Sequence, residues 1–243
     1  MTTTPLADST VAVLGGTSGI GLATALAAAE AGAHVHVVSS RESSVSRALA
    51  ALPETAHGSL ADLSSPDAVR SALDAIGTID HLVFTAGEPL TIMPVLEMDL
   101  GRAHAFFELR FFSALAAVQA ALPHLRDGGS ITLTTGTAFH RPGAGWSVAA
   151  GITGAVIGTT RALAVELGPR LRVNAVSPGF VRSPLWDSMP DADREAMYAA
   201  AGAAAPLGRV AEVADVAAAY LYCMTQHFAT GTVLTVDGGS LLV

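Results

Sequence analysis

Short apolar segments rich in β-branched residues alternate along this chain with longer stretches of helical periodicity, and this alternation limits the possible folds more than any other feature. Such segments are typical of parallel strands that are buried on both faces of a sheet. The predicted strands are Thr10–Leu14, His34–Ser39, His81–Thr85, Ser130–Thr135, Arg172–Ser177 and Val233–Val236, with a weaker one at Ala56–Ser59. The predicted helices are Gly19–Ala31, Ser43–Leu52, Ser65–Ile76, Asp99–Leu122, Ala149–Leu167 and Ala211–Met224. The sequence therefore predicts a doubly wound α/β fold with a parallel sheet of about seven strands.

One domain over residues 1–243 is predicted, because no Pro- or Ser-rich linker divides the chain. The longest stretch without clear strand character is Gly179–Val210, which contains three prolines and the Ala-rich piece Ala199–Ala205. A long connection that follows a strand is usually functional, so residues 179–210 are predicted to form a substrate lid. A surface insertion without a function is the alternative.

The composition excludes several classes of protein. The chain is 51% hydrophobic and only 14% charged, which argues for a large core and against disorder. A formal net charge of −8 argues against a nucleic-acid partner. The single cysteine, Cys223, excludes an internal disulfide and favours a reducing compartment. Because Met1–Thr10 has neither a basic nor an apolar signal region, we expect a cytoplasmic protein.

Nineteen consecutive uncharged residues separate Arg141 from Arg161, which is close to the length of a membrane span. The stretch also contains Pro142 and five glycines. We therefore expect a buried, tightly packed helix here and no membrane partner.

A glycine-rich loop follows the first predicted strand and leads directly into the first predicted helix, with the sequence Gly15-Gly16-Thr17-Ser18-Gly19-Ile20-Gly21. Glycines at such a junction permit a tight turn and let backbone N–H groups approach a pyrophosphate at the helix N-terminus. Glycine-rich turns without a ligand are also common. The position between strand and helix favours a dinucleotide site.

The spacing of Gly15, Gly19 and Gly21 resembles the cofactor loop of the short-chain dehydrogenase/reductase family. Other segments fall in the family's order along almost the whole chain: Asp62-Leu63 resembles its adenine-contacting pair, Thr85-Ala86-Gly87 the end of its Asn-Asn-Ala-Gly strand, Arg172–Gly179 the segment beside the nicotinamide, and Thr230-Gly231 with Val236–Gly239 its C-terminal strand. The resemblance implies a Rossmann-type fold, a nicotinamide cofactor and a homo-oligomer, either a tetramer or a dimer.

The residues that the resemblance implies for cofactor binding are Gly15, Thr17, Ser18, Gly19, Ile20, Ser40, Arg41, Asp62, Leu63, Thr85, Ala86, Gly87, Pro178, Gly179, Val181 and Ser183. The second strand ends in Val38-Ser39-Ser40-Arg41, with no acid before Glu42. An acid at that place would bind both ribose hydroxyls and repel a 2′-phosphate, whereas Arg41 and the serines can bind the phosphate. NADP(H) is thus favoured over NAD(H), although Arg41 as a solvated surface residue is the alternative.

The family's chemistry uses a Tyr, a Lys, a Ser and an Asn, and this sequence departs from that pattern at all four positions. By spacing, these positions fall on Ala149, Thr153, Gly136 and Arg110. All 13 basic residues are arginines, so the chain has no lysine, and its tyrosines all lie at residue 198 or beyond. Arginine does not deprotonate in proteins. The family's standard mechanism is therefore predicted to be absent.

Three side chains remain as catalytic candidates. Arg110 can clamp a carboxylate or an oxyanion, or else pair with Glu108 or another acid. Thr135, like Thr137, can donate a hydroxyl hydrogen bond, or can simply end its strand. His140 is the nearby side chain that titrates close to neutral pH, although a lone loop histidine is more often just solvated.

Trp146 and Trp186 are candidates for the wall of an apolar pocket, with core packing as the alternative. The histidines are scattered, and His34 and His36 lack a third ligand, so no metal site is predicted.

Three functions remain open at this point. The favoured one is an NADP(H)-dependent oxidoreductase with a non-standard proton donor that acts on a small carbonyl or alcohol substrate. The alternatives are a cofactor-binding cyclase, lyase or isomerase, and a non-catalytic cofactor-binding or partner protein. Apolar residues around most of the circumference of helices Asp99–Leu122 and Ala149–Leu167 add to the expectation of a homo-oligomer.

Overall fold

The structure is a computed structural model that describes residues 4–243. Met1–Thr3, which are part of the segment without a predicted secretion signal, lie outside the described residues. The strands are β1 (Thr10–Leu14), β2 (His34–Ser39), β3 (His57–Leu60), β4 (Ile79–Phe84), β5 (Leu125–Thr134), β6 (Arg172–Pro178), β7 (Val181–Arg182), β8 (Ala211–Glu212) and β9 (Val233–Val236). The helices are α1 (Gly19–Glu30), α2 (Glu42–Ala51), α3 (Pro66–Ile76), α4 (Leu100–Phe107), α5 (Ser113–Ala121), α6 (Ser147–Leu167), α7 (Asp191–Ala204) and α8 (Val213–Thr225).

Seven of the strands form one sheet in the order β3-β2-β1-β4-β5-β6-β9, and all of its neighbouring strands are parallel. The chain order reverses between β1 and β4, which creates a crevice at the carboxyl ends of the strands. The predicted doubly wound fold and its strand number are confirmed. Strands β7 and β8 pair separately as a short parallel ribbon.

The apolar strands bury both of their faces, as the sequence predicts. In β1, Ala12 and Leu14 belong to a core cluster on one side of the sheet, with α3, α5 and α6. Val11 and Val13 belong to a second cluster on the other side, with α1 and α8. Because side chains alternate along a strand, a continuous apolar run is required where helices cover both faces.

The ends of the predicted helices lie within two residues of observed helix ends, and two of the differences have a clear structural cause. The helix predicted at Asp99–Leu122 is interrupted by a π-helical turn at Glu108–Phe112, which separates α4 from α5. Apolar periodicity does not reveal such a turn, because it is only slightly wider than an α-helical turn. The helix predicted from Ala211 begins at Val213, because Ala211 and Glu212 pair with β7.

The expectation that the apolar stretch between Arg141 and Arg161 is a buried helix is wrong for a single chain. Helix α6 has the length and composition of a membrane span, but only 33% of its most apolar window is buried. It packs against the sheet on one side, and Val165 on its other side is 84% exposed. A helix that packs on the face of a sheet is buried only on the side toward the sheet, and its hydropathy does not show how much of it is buried.

Candidate active site

A cavity of about 610 Å³ lies at the carboxyl ends of the central strands. This is where a doubly wound sheet places its ligand site. Every predicted cofactor-binding residue lines the cavity: Gly15, Thr17, Ser18, Gly19, Ile20, Ser40, Arg41, Asp62, Leu63, Thr85, Ala86, Gly87, Pro178, Gly179, Val181 and Ser183. Residues from five separate parts of the sequence therefore meet in one place, because the parallel strands end at the same side of the sheet.

The glycine loop connects β1 to the N-terminus of α1 and packs against the end of β4. Gly15 has a φ of +89°, and a Cβ atom there would lie 2.6 Å from the Ala86 nitrogen. A Cβ atom on Gly21 would lie 2.2 Å from the Gly15 carbonyl oxygen. Only glycine fits at these two positions. The first residues of α1, Gly19 to Gly21, line the cavity, and no acid lies in that first turn. Because the first N–H groups of a helix have no partner within it, the site fits a pyrophosphate.

The far end of the cavity is lined by Ser39, Ser40 and Arg41 after β2, and by Asp62 after β3. Arg41 is exposed and precedes α2. Asp62 accepts hydrogen bonds from the Ser64 hydroxyl at 2.7 Å and the Ser64 N–H at 3.0 Å. These hydrogen bonds lower the pKa of Asp62 below its ordinary value. This end of the site thus offers one cation and one ionised acceptor.

Arg110 lies in the π-helical turn, and its side chain is only 19% exposed. Its guanidinium donates a hydrogen bond to the Glu88 carbonyl, and its carbon Cζ lies 5.7 Å from the centre of the Phe106 ring. Its Nε lies 3.4 Å from Glu88 Oε2. Of the acids that the sequence allowed as a partner for Arg110, the structure selects Glu88 and not Glu108.

The contact between Arg110 and Glu88 leaves hydrogen-bonding capacity unused. Within residues 4–243, Arg110 Nε and Glu88 Oε2 are both buried and neither makes a hydrogen bond, although they form an ion pair. Burial lowers the pKa of Arg110, and the Glu88 charge acts in the opposite direction. A guanidinium has five N–H donors, so this one retains donors at the cavity wall.

Thr135, Gly136, Ala149 and Thr153 line the same cavity as Arg110. The Thr135 hydroxyl donates to the Thr153 carbonyl at 2.9 Å, and the Thr153 hydroxyl donates to the Ala149 carbonyl at 2.9 Å. Both hydroxyl protons are therefore engaged with α6. Contrary to the expectation from sequence, Thr135 offers the cavity an acceptor and not a free donor.

His140 is not brought to the cavity. It follows the short 3₁₀ turn Thr137–Phe139, is exposed, and contacts the edge of the Phe139 ring at a centroid distance of 5.1 Å. Thr137 in the same turn does line the cavity. The turn directs the two side chains differently, and sequence spacing alone does not show this.

Three aromatic rings form one wall of the cavity, which we call the aromatic wall: Trp146, Phe180 and Trp186. The rings of Phe180 and Trp186 stack at 5.5 Å with an interplanar angle of 24°, and Trp146 lies 6.2 Å from Phe180. Both tryptophans line the cavity, but Trp186 is only 7% exposed and also packs in the core, which was the alternative for it. Sequence reasoning missed Phe180, and its position directly after Gly179 was the available signal.

The charged side chains that line the cavity, among the residues described, are Arg41, Asp62, Arg110 and Asp187. Asp187 was also missed; it is 3.8 Å from Arg194, and no sequence motif marks it. In residues 4–243 the lining includes no Tyr, Lys or His. The same residues contain no group of three His, Cys, Asp or Glu side chains that could hold a metal ion.

Comparison with known proteins gives a consistent result. The family model described as enoyl-(acyl carrier protein) reductase matches residues 15–240. Short-chain dehydrogenase/reductase fsr5 of Gibberella fujikuroi is 33% identical over 98% of this chain and 96% of its own length. The chain belongs to the short-chain dehydrogenase/reductase family.

Two solved structures are similar to this chain over almost its whole length. A small-chain dehydrogenase in complex with NADPH is 34% identical, with a TM-score of 0.85 over 97% of this chain and 100% of that one. The MalC reductase/Diels-Alderase of Malbranchea aurantiaca is 31% identical, with a TM-score of 0.92 over the whole of both chains. The protein is thus an oxidoreductase of the short-chain dehydrogenase/reductase type with a nicotinamide cofactor site.

Proposed function

We propose that the protein is an NADP(H)-dependent oxidoreductase that acts on a carbonyl or alcohol substrate with an unusual proton-donor arrangement. One observation carries this proposal: a single cavity contains the cofactor-binding residues and the buried guanidinium of Arg110, with no Tyr or Lys among its described lining residues. The family membership supports the reaction class, and the described lining residues of this cavity support a proton donor other than the family's Tyr.

The preference for NADP(H) rests on Arg41, which lies at the cavity with Ser39 and Ser40, and on the absence of an acid between the end of β2 and Arg41. A guanidinium and two hydroxyls suit a 2′-phosphate. The 34% identical structure in complex with NADPH supports the same preference.

A nicotinamide held by these residues would supply a hydride to a substrate carbonyl carbon or accept one from an alcohol carbon. Arg110 stabilises the negative charge that develops on the substrate oxygen by a charge-assisted hydrogen bond. Ala149, Thr153 and Gly136 occupy the positions that correspond to the family's Tyr, Lys and Ser, and none of them can donate an acidic proton. The proton that completes the alcohol then comes from water or from the substrate.

The direct test is steady-state oxidation of NADPH against a panel of ketones, enones and quinones, with wild type beside Arg110→Ala. Reduction of a panel compound by wild type, at a rate that Arg110→Ala lowers by about 10²-fold, is the expected result. If a compound is reduced equally fast by both proteins, Arg110 has no role in the chemistry.

A second candidate is a cofactor-binding enzyme without redox chemistry, such as a cyclase, lyase or isomerase. It is favoured by a cavity whose described lining lacks a side chain that titrates near neutral pH, and by the similarity to a protein named reductase/Diels-Alderase. Product formation without consumption of NADPH identifies this case. Binding of NADPH with no turnover of any kind identifies a non-catalytic cofactor-binding protein.

We further propose that residues 179–210 form a substrate lid. The first part of this segment, from Phe180 to Asp187, supplies one side of the cavity. The Leu90 N–H donates to the Leu185 carbonyl at 3.2 Å, and Pro184 would contact a Cβ atom on Gly19 at 3.3 Å. The lid thus touches both the cofactor loop and the opposite rim of the site.

Homo-oligomer formation, as a tetramer or a dimer, is proposed from the apolar surface of the helices beside the sheet. Val165 on α6 is 84% exposed, and Phe112 between α4 and α5 is also exposed.

A cytoplasmic location is proposed from the use of cysteine. The single cysteine, Cys223, is free and buried, as suits a reducing compartment. Burial raises the pKa of its thiol to about 11, which is typical of an unreactive structural cysteine.

A further inference from the structure

The rings of the aromatic wall pack on one buried cluster, which lies within the proposed lid. Trp186, Tyr198 and Val210 form a small buried cluster, and both Trp146 and Phe180 pack against it. The stacked rings therefore have support from α7 and from the segment that ends at β8. A preformed wall of ring faces binds a flat aromatic ligand with little loss of side-chain entropy.

Apolar contacts continue from the aromatic wall toward Arg110. Leu90 packs against the cluster around Trp186 and also against a second cluster that includes Phe106 and Ile152. Leu90, Phe106 and Ile152 all line the cavity, and the Phe106 ring lies beneath the Arg110 guanidinium. One extended apolar surface thus leads to the buried ion pair of Arg110 with Glu88, and of these two residues Arg110 is the one that lines the cavity.

Small residues lie at the place where the substrate must meet the cofactor. Gly136 and Ala149 line the cavity with no side chain larger than a methyl group. A rigid ligand of two or more fused rings can therefore extend from the aromatic wall to this part of the site.

Arg110 sets the charge of the ligand. Its partner Glu88 approaches Nε without hydrogen-bond geometry, so the guanidinium keeps N–H donors for another acceptor. A Cβ atom on Gly87 would lie 2.6 Å from Nη1, which shows that the guanidinium edge reaches the end of β4. A buried donor without a full set of acceptors favours a ligand oxygen that carries negative charge.

From these contacts we infer the substrate class: a fused-ring aromatic compound that carries an anionic oxygen, with its rings on Trp146 and Phe180, which the buried Trp186 supports from behind, and its oxygen on Arg110. This inference rests on the proposed function and makes its substrate more specific. A flexible fatty acid also joins an apolar part to an anion, but it gains little from stacked ring faces.

Titration calorimetry of the full chain saturated with NADP⁺ tests the inference with three probes: 2-naphthoate, decanoate and 2-naphthamide. We expect 2-naphthoate to bind about tenfold more tightly than decanoate, because only the naphthyl ring stacks. It should also bind about tenfold more tightly than neutral 2-naphthamide, because of Arg110. Titration of NADP⁺ into the same preparation tests cofactor binding separately. If NADP⁺ does not bind, the proposed function fails, and the probes are titrated into the cofactor-free chain to test the substrate class on its own.

The variants Phe180→Leu and Trp146→Leu should each remove the preference for 2-naphthoate over decanoate. Both side chains are only half-buried, and thermal melting checks that the variants are folded. Phe228→Leu is the matched control, since Phe228 is fully exposed and does not line the cavity. Its affinities should equal those of wild type.

Several results would overturn the inference. Equal or tighter binding of decanoate excludes the fused-ring class, and equal binding of 2-naphthamide excludes the anionic oxygen. Competition between 2-naphthoate and NADP⁺ places the probe in the cofactor's part of the cavity and excludes the assigned position. No binding of any probe, or full affinity in both wall variants, also excludes it.

Discussion

The guanidinium of Arg110 lies so close to the backbone of Gly87 that a Cβ atom at residue 87 would be 2.6 Å from Nη1. Gly87 follows the end of β4, in the segment that resembles the family's cofactor-contacting strand. The close approach therefore joins the residue proposed for chemistry to the residues proposed for cofactor binding. This contact, together with Glu88 and Phe106, fixes the guanidinium at one point of the cavity.

Replacement of Arg110 tests its proposed role in turnover. Arg110→Ala should lower the rate of NADPH oxidation with a reducible substrate by about 10²-fold, which is typical for the loss of one donor to an oxyanion. The dissociation constant for NADPH should change by less than about twofold, because Arg110 approaches the predicted cofactor-binding residues at Gly87 and not at the glycine loop, where the pyrophosphate would bind. Stopped-flow single turnover and calorimetry measure the two quantities.

The control for this variant is Arg102→Ala. Arg102 lies on α4, in the same helical region, and its guanidinium contacts Thr91 at the exposed surface. Unchanged turnover in Arg102→Ala and a large loss in Arg110→Ala are expected together. A similar loss in both variants would indicate a general effect of the helix and contradict the specific role.

Replacement of Arg41 tests cofactor selection. Arg41→Ala should narrow the preference for NADPH over NADH by about tenfold, because a charged hydrogen bond to the 2′-phosphate is lost. Calorimetric titrations of both cofactors measure the preference. Arg126→Ala is the matched control, since Arg126 lies at the start of β5, whereas the cavity lies at the carboxyl ends of the strands. If wild type binds both cofactors equally and Arg41→Ala does the same, the assignment of NADP(H) is wrong.

Lowering the pH should destabilise the protein through His81. This side chain is buried, its Nδ1 lies 2.8 Å from the Ser130 hydroxyl, and burial lowers its pKa from 6.5 to about 4. The unfolded chain therefore takes up a proton between about pH 6.5 and pH 4 while the folded chain does not, so stability is lost as the pH falls through this range. The loss from this one group approaches about 3 kcal/mol at the acid end.

Chemical denaturation at a series of pH values measures this dependence. His81→Gln keeps a hydrogen-bonding side chain that does not titrate, so its stability should fall less steeply between pH 6.5 and pH 4 than that of wild type. His34→Gln is the control, because His34 is exposed on β2. Parallel pH profiles for wild type and His81→Gln would contradict the prediction.

The oligomer is tested by the mass of the protein in solution. Multi-angle light scattering should give a multiple of 24.6 kDa for wild type. Val165→Asp should shift the mass toward a single chain, because a charge on the exposed apolar side of α6 cannot be buried without cost. Leu60→Asp at the edge strand β3 is the control and should leave the mass unchanged. A wild-type mass of 24.6 kDa would exclude the oligomer.

Much of the fold could be predicted because strand pattern and glycine positions are local signals. The bounds of β1, β2 and β9 match the prediction, and the glycine loop lies at the predicted junction. What failed depends on three-dimensional partners. Glu88 as the partner of Arg110, and the engagement of the Thr135 hydroxyl with α6, follow from the way separate elements pack. No spacing rule links residues 88 and 110, because a loop and α4 lie between them and Arg110 belongs to a π-helical turn.

Both tryptophans of the chain lie in the aromatic wall, and this gives the protein an intrinsic optical reporter of its own site. Indole fluorescence from elsewhere in the molecule cannot obscure the signal. Tryptophan emission overlaps the absorption of a reduced nicotinamide, so arrival of the cofactor can be followed by energy transfer without any label. Single Trp→Phe variants at positions 146 and 186 would then leave one emitting tryptophan each, so that the environment of each ring is followed separately and in real time.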